Sequence, residues 1–87
     1  MNRILKEEFH IYQHLPPTTN TPRLWGAIGR CFEGPEGMEK AISTATELQG
    51  IAPEGVEYSV QRYEYGIHRK NRPSKTKIWR NGILIDA

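Results

Sequence analysis

Long apolar runs are missing from this chain. The longest, Ile83-Leu84-Ile85, is three residues, against the ~18 that a bilayer-spanning helix needs, so no membrane crossing is expected. Cysteine is nearly absent as well: Cys31 stands alone, which excludes an internal disulfide and leaves none of the paired spacings that hold structural zinc. Aspartate occurs once, at Asp86 near the chain end. No glycine-rich fingerprint followed by Lys-Ser/Thr is present, and at Gly34-Pro35-Glu36-Gly37 the proline removes a donor while Glu36, with Glu39 beyond it, repels an anion. The first residues, Met1 to Glu8, lack the apolar core of a secretory signal, so a reduced, cytoplasmic setting is expected. Internal repeats, low-complexity tracts and coiled-coil heptads are missing too.

What remains is ordinary globular material, 37% hydrophobic and 25% charged over 87 residues. Separate cores usually need roughly 100 to 200 residues each, so one domain spanning residues 1–87 is expected. Its net charge of +2 hides a segregation. Residues 1–60 carry five basic and eight acidic side chains, a net of −3, whereas residues 61–87 carry seven basic and two acidic, a net of +5. Such a dipole steers a small domain towards a polyanion with one end foremost.

Alternation from Phe9 to Leu15 reads as a half-buried strand, with Phe9, Ile11 and Leu15 opposite His10, Tyr12 and His14. Pro16 to Pro22 is turn chemistry and ends it. A second strand is expected over 24–32, thin or bulged at Gly26 and Gly29. Gly34-Pro35-Glu36 opens a helix, with Met38, Ala41, Ile42, Ala45 and Leu48 forming a stripe and Gly50 as its stop. A third strand over 56–68 changes parity: Val56, Tyr58 and Val60 share one face, and Tyr63, Tyr65 and Ile67 share the other. Either a bulge near Gln61-Arg62 returns the tyrosines to the core, or they stand on an uncovered face. A basic loop, Arg69 to Lys75, leads to a hairpin turning at Asn81-Gly82. In that hairpin Arg80 faces Ile83, Trp79 faces Leu84, Ile78 faces Ile85 and Lys77 faces Asp86. Ile78, Ile83 and Ile85 then share one face and Trp79 and Leu84 the other. The expected fold class is α+β: an antiparallel sheet of four to five strands with one helix packed on one face, in the order ββαβββ. The open face would collect Tyr12, Trp25, Tyr63, Tyr65 and Trp79.

Catalysis finds little support in this inventory. A cysteine nucleophile needs a histidine held against it and a third group orienting that histidine, and Cys31 sits in an apolar alternation where burial would make it inert. Glu36, Glu39 and Glu47 fall on the solvated side of the helix, unsuited to paired acid–base work. His10, His14, His68 and Cys31 suggest zinc, but strand residues four apart lie about 13 Å from one another, so His10 and His14 cannot share an ion. No enzyme activity, metal site or cofactor is expected.

The stretch from Arg62 to Arg80 holds seven cations and one anion with three aromatics between them. Cations draw phosphates, and rings offer faces on which unpaired bases stack. A non-enzymatic nucleic-acid-binding module is therefore expected, contacting its partner through Arg62, Tyr63, Tyr65, Arg69, Lys70, Arg72, Lys75, Lys77, Trp79 and Arg80. The competing structural reading is a solvated strand edge on which lysine and arginine block aggregation. No RNA-recognition motif, helix-turn-helix or zinc-finger spacing accompanies the basic stretch. The same residue types dominate protein–protein hot spots. In size and style alone the module resembles small phage-encoded inhibitors such as anti-CRISPR proteins, which implies docking on a nucleic-acid-handling protein complex. A homodimer through the aromatic face is a third expectation.

Overall fold

The computed structural model describes residues 4–18, 24–66 and 69–85, with side chains described except at 4, 5 and 69–71. Five strands, β1 (Ile4–Leu15), β2 (Leu24–Glu33), β3 (Glu57–Gly66), β4 (Arg69–Arg80) and β5 (Ile83–Leu84), form one sheet, with a helix, α1 (Gly37–Ile51), between β2 and β3. Spatial order in the sheet is β2-β1-β3-β4-β5, and every neighbouring pair is antiparallel. The class is α+β with the helix packed on one face. No helix among the described residues is long and apolar enough to cross a membrane.

Because β2 and β3 both pair with β1, the connection through α1 must pass over β1, and the helix packs on β1, β2 and β3. This sets the most buried positions. Phe9, Ile11, Val60, Ala41 and Ala45 are buried where helix meets central strands, with Tyr58, Ile78 and Trp79 around them. Ala41 and Ala45 bring the helix axis close to the sheet, and Met38, Ile42 and Leu48 flank them half-buried. Gln49 ties the helix end to β3: its amide donates to the Val56 carbonyl at 2.9 Å and accepts from the Tyr58 N–H at 2.8 Å.

Several boundaries differ from the sequence reading. β1 begins at Ile4 because Lys6, Glu7 and Glu8, polar as they are, find partners across β3 at Tyr65, Glu64 and Tyr63. Pro35 lies in the turn before the helix; Glu36 is the N-cap residue. Gly50 does not stop α1, which continues to Ile51 and ends where Ala52 turns extended (ψ 142°), as a residue before proline prefers. The segment 69–75 is strand rather than loop. Pro73 fits there because it falls between the paired positions Ser74 and Arg69, where the register shifts, and because an edge strand tolerates a missing donor. Residues 19–23, Ile67, His68 and Asp86 lie outside the described residues.

The parity question is answered by the position of the bulge. β3 runs in unbroken register against β1 from Tyr65 to Glu57, and the irregularity opposite Val60 and Gln61 is an extra residue on β4, Ile78. Tyr58 and Val60 therefore face the helix, and Tyr63 and Tyr65 stand on the other face. The bulge lets consecutive Ile78 and Trp79 both enter the core cluster. Trp79 is thus not on the open face: it is 3% exposed and paired with Val60. Ile83 and Leu84 are exposed, so the hairpin end contributes no second apolar face. The turn itself forms as read. Asn81 (φ 48°) and Gly82 (φ 90°) adopt left-handed conformations, Arg80 pairs with Ile83, Trp79 with Leu84, and the Ile85 N–H reaches the Ile78 carbonyl at 2.9 Å.

Length mismatch shapes the whole molecule, which measures 46 × 26 × 23 Å. A 15-residue helix is about 22 Å long, while a 12-residue strand spans about 40 Å. The end of the sheet around the β3–β4 connection consequently extends beyond the helix.

Two glycines of α1 give opposite expectations for stability. A Cβ on Gly37 would lie 2.9 Å from the Phe9 ring and 3.2 Å from the Phe32 backbone, so Gly37→Ala should lower the melting temperature by several degrees through forced separation of helix and sheet. Gly50 has nothing within 4 Å, so Gly50→Ala should stabilise by about 0.5–1 kcal/mol through helix propensity alone. Thermal melts of both variants check this placement, and destabilisation by Gly50→Ala would contradict it.

Candidate functional site

The face of the sheet away from α1 is polar yet largely covered by its own side chains. Alternation places Lys6, Glu8, His10, Tyr12 and His14 of β1 there, beside Glu57, Ser59, Gln61, Tyr63 and Tyr65 of β3. Glu8 is its hub. It is only 9% exposed, and its carboxylate meets Lys6 Nζ at 2.9 Å, His10 Nε2 at 3.1 Å and the Tyr65 hydroxyl at 3.0 Å. Burial pushes this carboxyl up, but the hydrogen bonds from Lys6, His10 and Tyr65 outweigh it and hold the group down at about 2. Further along, the Tyr12 and Tyr63 hydroxyls hydrogen-bond to each other, and His14 Nε2 meets Ser59 Oγ at 2.8 Å. Burial, then the bond to Tyr12, pushes the Tyr63 phenol well above its ordinary value. Ring packing closes the gaps: His10 stacks on Tyr63 at 4.0 Å, and Trp25 lies over Tyr12 and His14 at 5.5 and 6.2 Å.

The residues expected to bind a partner separate into three groups. Arg72, Lys75 and Lys77 on β4 are exposed, and Lys75 lies over the Tyr63 ring at 5.0 Å. Arg62 and Arg80 are engaged within the fold. Arg62 lies on the helix side over Phe9 at 5.7 Å, 3.5 Å from the Met38 sulfur and 3.4 Å from Glu7; Arg80 donates twice to Glu57 Oε1, at 3.1 and 2.9 Å. The rings are the third group: Tyr63 is 8% exposed, Tyr65 is half-buried, and Trp79 belongs to the core. The backbone of Arg69 and Lys70 belongs to β4, and their side chains lie outside the described residues. Trp25, 63% exposed, is the open aromatic surface of this face.

Strand pairing also assembles a group that spacing along the chain did not reveal. His10 pairs with Cys31 across β1 and β2, Glu8 lies two residues before His10 on the same side, and the donor atoms of Glu8, His10 and Cys31 all fall within 4.8 Å of one another. Only the register places Cys31 there. Two extra residues of β2, accommodated at Gly29 (φ 83°), separate the Cys31–His10 pair from the Ala27–Tyr12 pair. This trio is not built as a nucleophilic triad, because both contacts of His10 run through one nitrogen: Nε2 meets Glu8 Oε1 at 3.1 Å and Cys31 Sγ at 3.7 Å. A relay needs the two ring nitrogens to face different partners. Cys31 is exposed rather than buried as expected, and partial desolvation of its sulfur, then the charges of Glu8 and Glu33, push the thiol up, against the thiolate that attack requires.

Glu8 links this face to acid stability. Its folded value lies below the ordinary 4.5, so its contribution is complete above about pH 4.5 and is lost as pH falls towards 2. Allowing for solvent around the half-exposed Lys6, the contribution is about 2 kcal/mol. Urea midpoints measured from pH 6 to 2 with a chelator present should show wild type more stable than Glu8→Gln at pH 6, with the gap closing by pH 2. A gap independent of pH would assign the effect to packing instead.

No protein-family model, curated protein or solved structure matches this chain.

Proposed function

We propose that the protein is a non-enzymatic binding module that holds nucleic acid along β4 and the overhanging end of the sheet. The observation that carries this reading is the placement of Arg72, Lys75 and Lys77: exposed, on a strand paired with β5 only at Trp79 and Arg80, and beyond the main footprint of the helix. Lys75 and Lys77 point to the same side, two residues or about 7 Å apart, so one backbone can meet both. Arg69 and Lys70 extend the same strand towards its start. A strand ribbon of this width fits a major groove, and Tyr65, next to this end of the sheet, offers a partly open ring to unpaired bases.

Arg62 and Arg80 are left out of the proposed surface because each is half-buried and ion-paired, with Glu7 and Glu57. Removing one cation that meets a phosphate should lower the log–log salt slope by about one. Binding to mixed-sequence duplex and to single strands at two salt concentrations should weaken steeply with salt, and Lys75→Ala/Lys77→Ala should flatten the slope by about two. Arg80→Ala should leave the slope unchanged. Affinity indifferent to salt would sink the proposal.

A second reading, docking on a protein, is favoured by one observation. β2 is an edge strand with Trp25 63% and Leu24 50% exposed, and these line a shallow groove with Gln13, Leu15 and Ile28. Pull-down with and without nuclease separates the readings, since partners held through nucleic acid are lost on digestion.

A further inference from the structure

We propose that Glu8, His10 and Cys31 form a binding site for a borderline transition-metal dication, with Zn²⁺ the ion that fits. The site is independent of the basic strand and uses the opposite half of the sheet. Tetrahedral zinc with ordinary bond lengths separates its nitrogen and oxygen ligands by about 3.3 Å and its nitrogen and sulfur ligands by about 3.6 Å. His10 Nε2 stands 3.1 Å from Glu8 Oε1 and 3.7 Å from Cys31 Sγ. The sulfur and the oxygen lie within 4.8 Å, against about 3.5 Å on tetrahedral zinc, leaving at most about 1.3 Å to close, and Cys31 is exposed.

That two partners converge on one ring nitrogen favours a cation at the centre. A single N–H satisfies Glu8 and leans only weakly on sulfur; a dication at their midpoint engages all three donors at once. Backbone pairing fixes the frame, since His10 and Cys31 are opposite residues of adjacent strands and Glu8 is on the same side of β1. The outer shell is in place as well. The Tyr65 hydroxyl donates to Glu8 Oε1, Lys6 occupies the other carboxylate oxygen at 2.9 Å, and the Tyr63 ring fixes the His10 plane. Glu33, across from Glu8, adds negative charge that offsets Lys6. Sulfur and imidazole select against Ca²⁺ and Mg²⁺, which take oxygen. Three protein ligands leave the fourth position to water on the exposed side. On binding, the Cys31 S–H bond breaks, sulfur donates its pair to the metal and the proton goes to solvent, while the His10 proton leaves Nε2, whose lone pair takes the metal, and Nδ1 takes up a proton from solvent in its place.

The full chain, reduced and stripped with chelator, is titrated with Co²⁺ and then with Zn²⁺. One equivalent of Co²⁺ should produce a thiolate-to-cobalt charge-transfer band in the near ultraviolet, and Zn²⁺ should abolish it. Cys31→Ser, a change at an exposed position that should leave the melting curve of the metal-free protein unaltered, should lose the band and weaken Zn²⁺ binding at least about tenfold. Glu8→Gln should keep the band and bind more weakly. Absence of the band in wild type, or Zn²⁺ binding by Cys31→Ser equal to that of wild type, overturns the proposal.

Discussion

Strand β1 has to satisfy two different environments at once, and the remaining structure follows from how it does so. Its odd residues, Phe9 and Ile11, are sealed beneath α1. Its even residues, Glu8, Tyr12 and His14, are also nearly removed from water although no helix covers them. Polar groups in that position are tolerable only when each finds a partner. Tyr63, Ser59 and Tyr65 supply those partners from β3, and Trp25 and Cys31 close the row from β2. The two faces of one strand thus impose different requirements: apolar volume on one side, hydrogen-bond completeness on the other.

The split also shows what the charge layout alone does not carry, namely which cations have partners within the fold. Counting cations assigns Arg62 and Arg80 to a partner, yet both meet glutamates, Glu7 and Glu57, that are distant in sequence and adjacent across strands. Tyr63 and Tyr65 of β3 are neither core nor free surface. They lie on the uncovered face and commit their hydroxyls to Tyr12 and Glu8. What is left for an external polyanion is narrower than the composition suggests: the outer side of β4 and its lysines.

Architecture was legible where local chemistry dominates. Alternation exposed β1 and β3, three- and four-residue spacing exposed α1, and Asn81-Gly82 exposed the final hairpin, because each signal lies within a few residues of chain. The bulge at Ile78 was not legible, since its cause is the demand of two strands for a common register; with it went the side of Trp79. The Glu8–His10–Cys31 cluster was hidden for the same reason. Its members are 2 and 21 residues apart along the chain, and only the two-residue slip of β2 at Gly29 makes them neighbours. Gly50 misled because glycine in a helix reads as punctuation, whereas Pro53 set the end through the residue before it.

The mismatch between a short helix and long strands separates two duties along a single sheet. Packing that determines the fold is concentrated where α1 crosses β1, β2 and β3, while the tip carrying residues 69–77 rests on ladder hydrogen bonds. The tip is thus the part of the sheet whose side chains can change from one descendant of this chain to the next with least demand on the scaffold beneath it.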